Sequence, residues 1–184
     1  MTRHLEGELQ AVGRATTTIH FKMLESLGVD RGFACDLWRN GYGFGVQHCR
    51  DAGGGFYEPD EGPLHLILPV YEDGALVDLC AFRSANPDGW LLRTGNGWAQ
   101  GLERGLEPHS WEPALLWSTP LDWLRAGGRG LCVLDWGAGE VRLLRELPAI
   151  ICQNPILESR LRSALSKPPR LPTISSQKGV ALAA

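Results

Sequence analysis

Apolar and polar positions along this chain follow two rhythms. Between Gly41 and Thr94 they come as short apolar runs separated by glycine-rich or charged turns: Val46 to Cys49, Phe56-Tyr57, Leu66 to Tyr71, Leu76 to Phe82 and Trp90 to Arg93. Runs of this length, bounded by Gly, Asp and Asn, read as antiparallel strands, with Asp51-Ala52-Gly53-Gly54-Gly55 as the flexible tip of one hairpin. Between Leu115 and Leu165 strands alternate with helices instead. Leu115-Leu116-Trp117 ends at Ser118 and leads into the helix-like stretch Pro120 to Gly128, and Gly130 to Leu134 ends on Asp135. Ala149 to Cys152 follows a helical stretch from Glu140 to Leu147 and leads into a helix from Pro155 to about Leu165. This alternation implies right-handed crossovers and a small parallel sheet. Ligands and catalytic groups collect at the carboxyl ends of such strands. Ser118, Asp122 and Asp135 therefore fall on the functional edge.

The N-terminal third is less regular. Ile19, Met23, Leu24 and Leu27 carry the spacing of an amphipathic helix over Thr18 to Leu27, and Gly28 stops it. Asn40 to Val46 alternates Gly with aromatics, which suggests a strand or turn with close backbone approach. It is not a dinucleotide fingerprint, because the third Gly is misplaced and no helix follows. After Ser166 the pattern ends in the polyproline-like Lys167-Pro168-Pro169-Arg170-Leu171-Pro172 and a stretch to Ala184 low in aromatic and charged residues, expected to be disordered. The organisation expected is an N-terminal helix and Gly-rich hairpin annex (1–63), a hairpin plus parallel βαβαβα unit (64–166) and a Pro-rich tail (167–184). The class is α/β, α+β overall.

Composition narrows the functions. The 184 residues, 43% hydrophobic, can bury a sizeable core, and their net charge of -3 gives no footprint of general phosphate-backbone affinity. No apolar run approaches the roughly 18 residues needed to cross a bilayer. The first residues lack the apolar core of a signal peptide, so a cytoplasmic location is expected. The five cysteines lack Cys-x-x-Cys spacing and read as reduced, small core residues. Cys35, His48, Cys49 and His109 fall in no paired metal-ligand spacing, so no bound metal is expected. Six of the seven tryptophans, Trp90, Trp98, Trp111, Trp117, Trp123 and Trp136, crowd the central half, where they fill a core or stack on bases. Arg93, Arg160, Arg162 and Lys167 are the candidate nucleic-acid contacts. The last three also suit a helix C-terminus and its tail electrostatically. Thr119, Pro120 and Asp122 occupy positions favoured for an N-cap, the first helical residue and the third, which gives Asp122 a helix-start role.

On these junction residues the chain resembles the Toprim domain of bacterial primases, type IA and II topoisomerases and related nucleases. That family carries a Glu at the end of its first strand, then Gly, then an Asp four residues after the Glu, and an Asp-x-Asp at the end of a later strand. On this sequence those positions fall on Ser118, Thr119, Asp122 and Asp135-Trp136-Gly137. The preceding His65 to Leu79, an apolar strand with internal Pro69, a charged turn and a second apolar strand, followed by Leu91 to Asn96, resembles the hairpin ahead of Toprim in the primase catalytic core. With Ser at the Glu position and Gly137 at the second Asp, the resemblance implies a degenerate site. Magnesium is normally held by carboxylates with substrate phosphates and water. Ser118 is neither a strong ligand nor a general base.

Asp36 to Gly43 and Pro120 to Gly128 also resemble segments of phage and prophage proteins of alphaproteobacteria. The resemblances imply a catalytically degenerate Toprim-like accessory or binding protein linked to phage DNA replication or processing, with DNA or replication proteins as partners and no cofactor. One alternative is a magnesium-dependent phosphotransfer enzyme of primase or nuclease type, whose site is rebuilt from Asp135 with Asp78 or Glu140. The other is a protein-binding adaptor without nucleic-acid contact.

Overall fold

A computed structural model describes residues 2–39, 43–105 and 113–166. Three helices open the chain: α1 (Thr2–Arg14), α2 (Thr18–Ser26) and α3 (Arg31–Arg39). Only α2 was expected from periodicity. Its start is fixed by Thr17, whose N–H donates to His20 Nδ1 at 3.0 Å, and Gly28, with φ +86°, ends it.

Four strands follow, β1 (Gly45–Gly53), β2 (Phe56–Glu72), β3 (Ala75–Arg83) and β4 (Asn86–Leu92), in a sheet of order β1-β2-β3-β4 whose consecutive strands pair antiparallel. The β2–β3 hairpin turns on Asp73 and Gly74, with φ of 49° and 77°. Two consecutive left-handed residues suit a tight hairpin whose twist matches its strands, which is why Asp-Gly serves here. Pro69 is tolerated inside β2 because β1 has already ended: the register runs only from Gly45↔Ile67 downward.

Residues 60–63 bulge out of β2 between the His48↔Leu64 and Cys49↔Pro59 pairs. The boundary expected after residue 63 therefore falls inside one strand. Helix α1 lies on this sheet, where a Cβ on Gly45 would come within 2.5 Å of the Val12 backbone. Leu5 and Val12 of α1 pack with Tyr57, Ile67, Leu79 and Ala81 in one core cluster. The annex and the hairpin region thus share their interior.

The second sheet has the order β5-β7-β6-β8, built from β5 (Ala99–Gln100), β6 (Ala114–Trp117), β7 (Leu131–Val133) and β8 (Ile150–Cys152). β6 pairs parallel with both β7 and β8, while β5 is antiparallel to β7. The connections are α5 (Pro120–Arg125), a 3-10 helix (Gly139–Glu146) in place of the helical stretch expected there, and α6 (Pro155–Ser166) after β8. The short α4 (Leu102–Gly105) follows β5. The expected α+β class, antiparallel strands first and parallel strands after, is the observed one. A second cluster, including Leu68, Cys80, Phe82, Leu121, Trp123, Cys132 and Leu134, joins the sheets.

Asp78 controls how the chain passes from one sheet to the other. Its carboxylate is fully buried at 0% exposure. The N–H groups of Leu79, Arg93 and Thr94 donate to Oδ1 at 2.8, 3.0 and 2.9 Å, and those of Asn96 and Gly97 to Oδ2 at 2.9 and 3.1 Å. Burying a charge is tolerated only when it is matched in this way. Asp78→Ala is expected to lose about 3 kcal/mol or more in urea unfolding, since it strands several buried donors at once. Asp78→Asn should be nearly as damaging, because its NH2 faces N–H groups.

Candidate functional site

The parallel register brings the carboxyl ends of β6, β7 and β8 to one edge, with β6 in the centre: Leu116 lies opposite Leu131 on one side and Cys152 on the other. Ser118 follows β6 there. Its N–H donates to Gln153 Oε1 at 2.8 Å, and its Oγ accepts from Asn154 Nδ2 at 2.8 Å. Gln153 N–H in turn donates to the Leu116 carbonyl at 2.9 Å. Asn154 also begins α6, its Oδ1 accepting from Leu157 N–H at 2.9 Å. What meets at the end of the central strand is therefore a hydroxyl and two carboxamides. The cluster is neutral.

Gln153 and Asn154 were missed in the sequence, although a signal was present. Both strand-to-helix junctions have the same form, Ser118-Thr119-Pro120 and Gln153-Asn154-Pro155, each placing two polar residues between a short apolar strand and a proline that opens a helix. A search for carboxylates passes over amides.

The other two candidates serve locally. Asp122 N–H donates to Thr119 Oγ1 at 3.0 Å, Thr119 Oγ1 donates to Asp122 Oδ2 at 2.9 Å, and Arg125 pairs with Oδ1 at 3.1 Å. Both carboxylate oxygens are committed to the start and first turn of α5, the helix-start role expected. Asp135 is exposed, and its Oδ1 accepts from Gly137 N–H at 2.7 Å in a turn. The structure assigns neither aspartate a hydrogen bond to Ser118. Among the described residues no three His, Cys, Asp or Glu side chains gather as metal ligands.

The hydroxyl and amides at Ser118 do not fit a magnesium ion, which takes carboxylate, phosphate and water oxygens. Asp78, one candidate for a rebuilt site, has both oxygens filled by backbone donors. Glu140 lies exposed at the start of the 3-10 helix, where its charge helps hold the Glu72 carboxyl above its usual range, behind the larger effect of burial.

The arginines divide similarly. Arg93 Nε donates to Glu8 Oε2 at 2.9 Å, while Tyr57 Oη donates to Glu8 Oε1 at 3.0 Å, so this guanidinium fastens α1 to the sheet. Arg160 sits over the Trp136 ring, 4.7 Å from its centroid, and Arg162 pairs with Glu158 at 2.7 Å within α6. Both are exposed; Lys167 lies outside the described residues.

His48 and Cys49 are adjacent on β1 without forming a ligand pair. The His48 ring meets the Gly62 carbonyl at 2.6 Å, and burial, reinforced by Glu8, pushes the Cys49 thiol up to about 12. Three tryptophans fix β7 from both ends: Trp117 and Trp123 donate to the carbonyls of Arg129 and Gly130, and Trp90 to that of Leu134. Trp98 and Trp123 are buried. His109 and Trp111 fall outside the described residues.

No protein-family model matches the chain, and neither does any curated protein. Among solved structures the fold is similar to the zinc-binding and RNA polymerase domains of the Aquifex aeolicus primase, with a TM-score of 0.55 over 85% of this chain at 14% identity. The fold is primase-like. The chain covers 49% of that structure, about half its length.

The Glu8–Arg93 pair yields a stability test. Glu8→Ala leaves Arg93 and Tyr57 without their shared acceptor and is expected to cost about 3 kcal/mol in chemical unfolding. Combining Glu8→Leu with Arg93→Met should cost clearly less than Glu8→Ala. An Arg93 free to contact nucleic acid would show no such coupling.

Proposed function

We propose that this chain is a Toprim-like module of the DNA replication machinery that has lost its metal site and acts by binding rather than by phosphotransfer, in a phage or prophage setting. The observation that carries the reading is the neutral Ser118–Gln153–Asn154 cluster at the carboxyl edge of the parallel strands. On this reading β6 is the strand that ends in Glu in the family, and the later strand of the Asp-x-Asp is β8 rather than β7. The acidic positions are then Ser118, Asp122, Gln153 and Pro155, and Asp135 is a turn residue. Of the family's acidic positions only Asp122 keeps its carboxylate, and both its oxygens are engaged within α5. A hydroxyl–amide clasp now joins the strand ends that carboxylates would hold apart until a cation bridged them.

The partners on this reading are DNA or replication proteins. A net charge of -3 and the pairing of Arg93 and Arg162 with glutamates favour contact with a replication protein over broad contact with phosphate. The adaptor reading rests on the same facts. Capture that survives nuclease treatment supports it, and capture lost with the nucleic acid points to DNA.

The site itself is tested by restoring charge. Ser118→Glu combined with Gln153→Asp should be less stable than the parent without metal and should recover on adding magnesium or manganese, by up to about 2.7 kcal/mol at a hundred times the dissociation constant. The parent should respond little, and Asp135→Asn should change neither its stability nor its metal response. Template-directed primer synthesis by the parent, or an equal metal response in parent and double variant, would count against the proposal.

A further inference from the structure

The second sheet is open at β8. This strand ends the order β5-β7-β6-β8, paired with β6 on one side, and among the described residues no strand pairs with its other side. The Ala149 carbonyl accepts the Ala114 N–H at 3.0 Å, and the Gln153 N–H donates to the Leu116 carbonyl at 2.9 Å. Backbone groups alternate in direction along a strand, so residues 149, 151 and 153 face β6. The N–H and C=O groups of Ile150 and Cys152 therefore face outward. The side chains of these two residues pack against the core cluster that holds Leu157 and Leu161 of α6, which turns Ile151 to the opposite face of the sheet. There it is 54% exposed.

Sheet edges are commonly blunted by charged side chains, lysine above all, or by a bulge. Here no residue from Leu147 to Leu157 is charged. Pro148 and Pro155 bracket the strand, and proline offers no N–H, so any pairing is confined to the residues between them. A neutral edge of fixed length, with an apolar side chain at its midpoint, calls for a strand that is itself neutral there. An identical edge meets that condition, because no like charges are brought together.

We propose that β8 pairs antiparallel with β8 of a second copy of this chain, about a two-fold axis passing beside Ile151. The backbone directions allow this register. Ile150 of one copy and Cys152 of the other form hydrogen-bonded pairs through their outward groups, and the two Ile151 residues form the non-hydrogen-bonded pair between them, where side chains come closest. Each exposed isoleucine is thereby covered by its twin. The contact is isologous and closes on itself, joining two four-stranded sheets into one. It uses the side of β8 away from β6 and Ser118, so it is independent of the chemistry assigned to the strand-end cluster.

The test follows the full chain by sedimentation velocity from about 1 μM to about 1 mM, the range in which small interfaces associate. A reversible equilibrium between monomer and dimer is expected. Ile151→Lys, at an exposed position that folding tolerates, sets two ammonium groups beside the axis and should weaken dimerisation by about tenfold or more. Ile151→Cys reads the register: with oxidised glutathione it should give far more disulfide-linked dimer than the parent, since paired Cβ atoms lie about 5 Å apart there. Ile156→Cys is the control, because Ile156 is 82% exposed but belongs to α6, beyond the strand. A chain that stays monomeric throughout that range overturns the proposal and leaves the edge to a strand of a different polypeptide. Undiminished dimerisation of Ile151→Lys, or equal cross-linking at residues 151 and 156, overturns it as well.

Discussion

The Asp78 carboxylate, buried on β3, gathers the backbone of residues 93–97 into a tight arc around itself. That arc is where the chain leaves the antiparallel sheet. Immediately beyond it the Trp98 carbonyl accepts the N–H groups of Leu134 and Asp135 at 2.7 and 3.1 Å, and β5 begins at Ala99. The position of the second sheet relative to the first thus depends on one side chain holding a loop from the inside. Such a charge is demanding, because every lone pair must be matched in a medium that screens little. The match also explains why Asp78 is unsuited to metal chemistry: a carboxylate saturated by backbone donors has no oxygen left to offer.

At the far edge of the second sheet the logic is reversed. Carboxylates that converge on one point repel and require a cation, so an acidic strand edge is poised for a metal and strained without one. Ser118, Gln153 and Asn154 carry no such requirement, since a hydroxyl and two amides pair among themselves as donors and acceptors. Stability and metal affinity are alternatives at such an edge. This chain has the side chains that favour stability.

Much of this was legible in the sequence. The Asp73-Gly74 hairpin, the strands on either side of it and the three parallel strands are marked by short apolar runs with turn residues at their ends. Helices α1 and α3 were not legible. The buried face of α1 is a narrow stripe of Leu5, Glu8 and Val12, and its central member is charged. Only Arg93 and Tyr57, 85 and 49 residues away, make that glutamate an interior residue. The sequence reading placed Ser118 and Asp135 at strand ends, and the structure adds Gln153 and Asn154 from the end of β8 beside Ser118. Register decides which junctions flank Ser118, and a hydrogen bond between residues 36 apart has no local signature. Asp135 drew attention because it is an acid after a strand, although its carboxylate only closes a turn.

Pro69 has a consequence for how the antiparallel sheet ends in the interior. Within a strand the N–H and C=O of one residue face the same side. The Pro69 carbonyl reaches Gln100 rather than β3, so its nitrogen faces the side that β1 has already vacated. Proline has no hydrogen to present there, and the carbonyl beside it is capped by a side chain. A buried stretch of strand without a partner on that side is therefore left with no unpaired N–H, and its carbonyl is satisfied from β5. At that point the antiparallel sheet ends against its own second sheet on a ring nitrogen and a glutamine, so the two sheets meet without a further strand and without stranding a backbone donor in the interior.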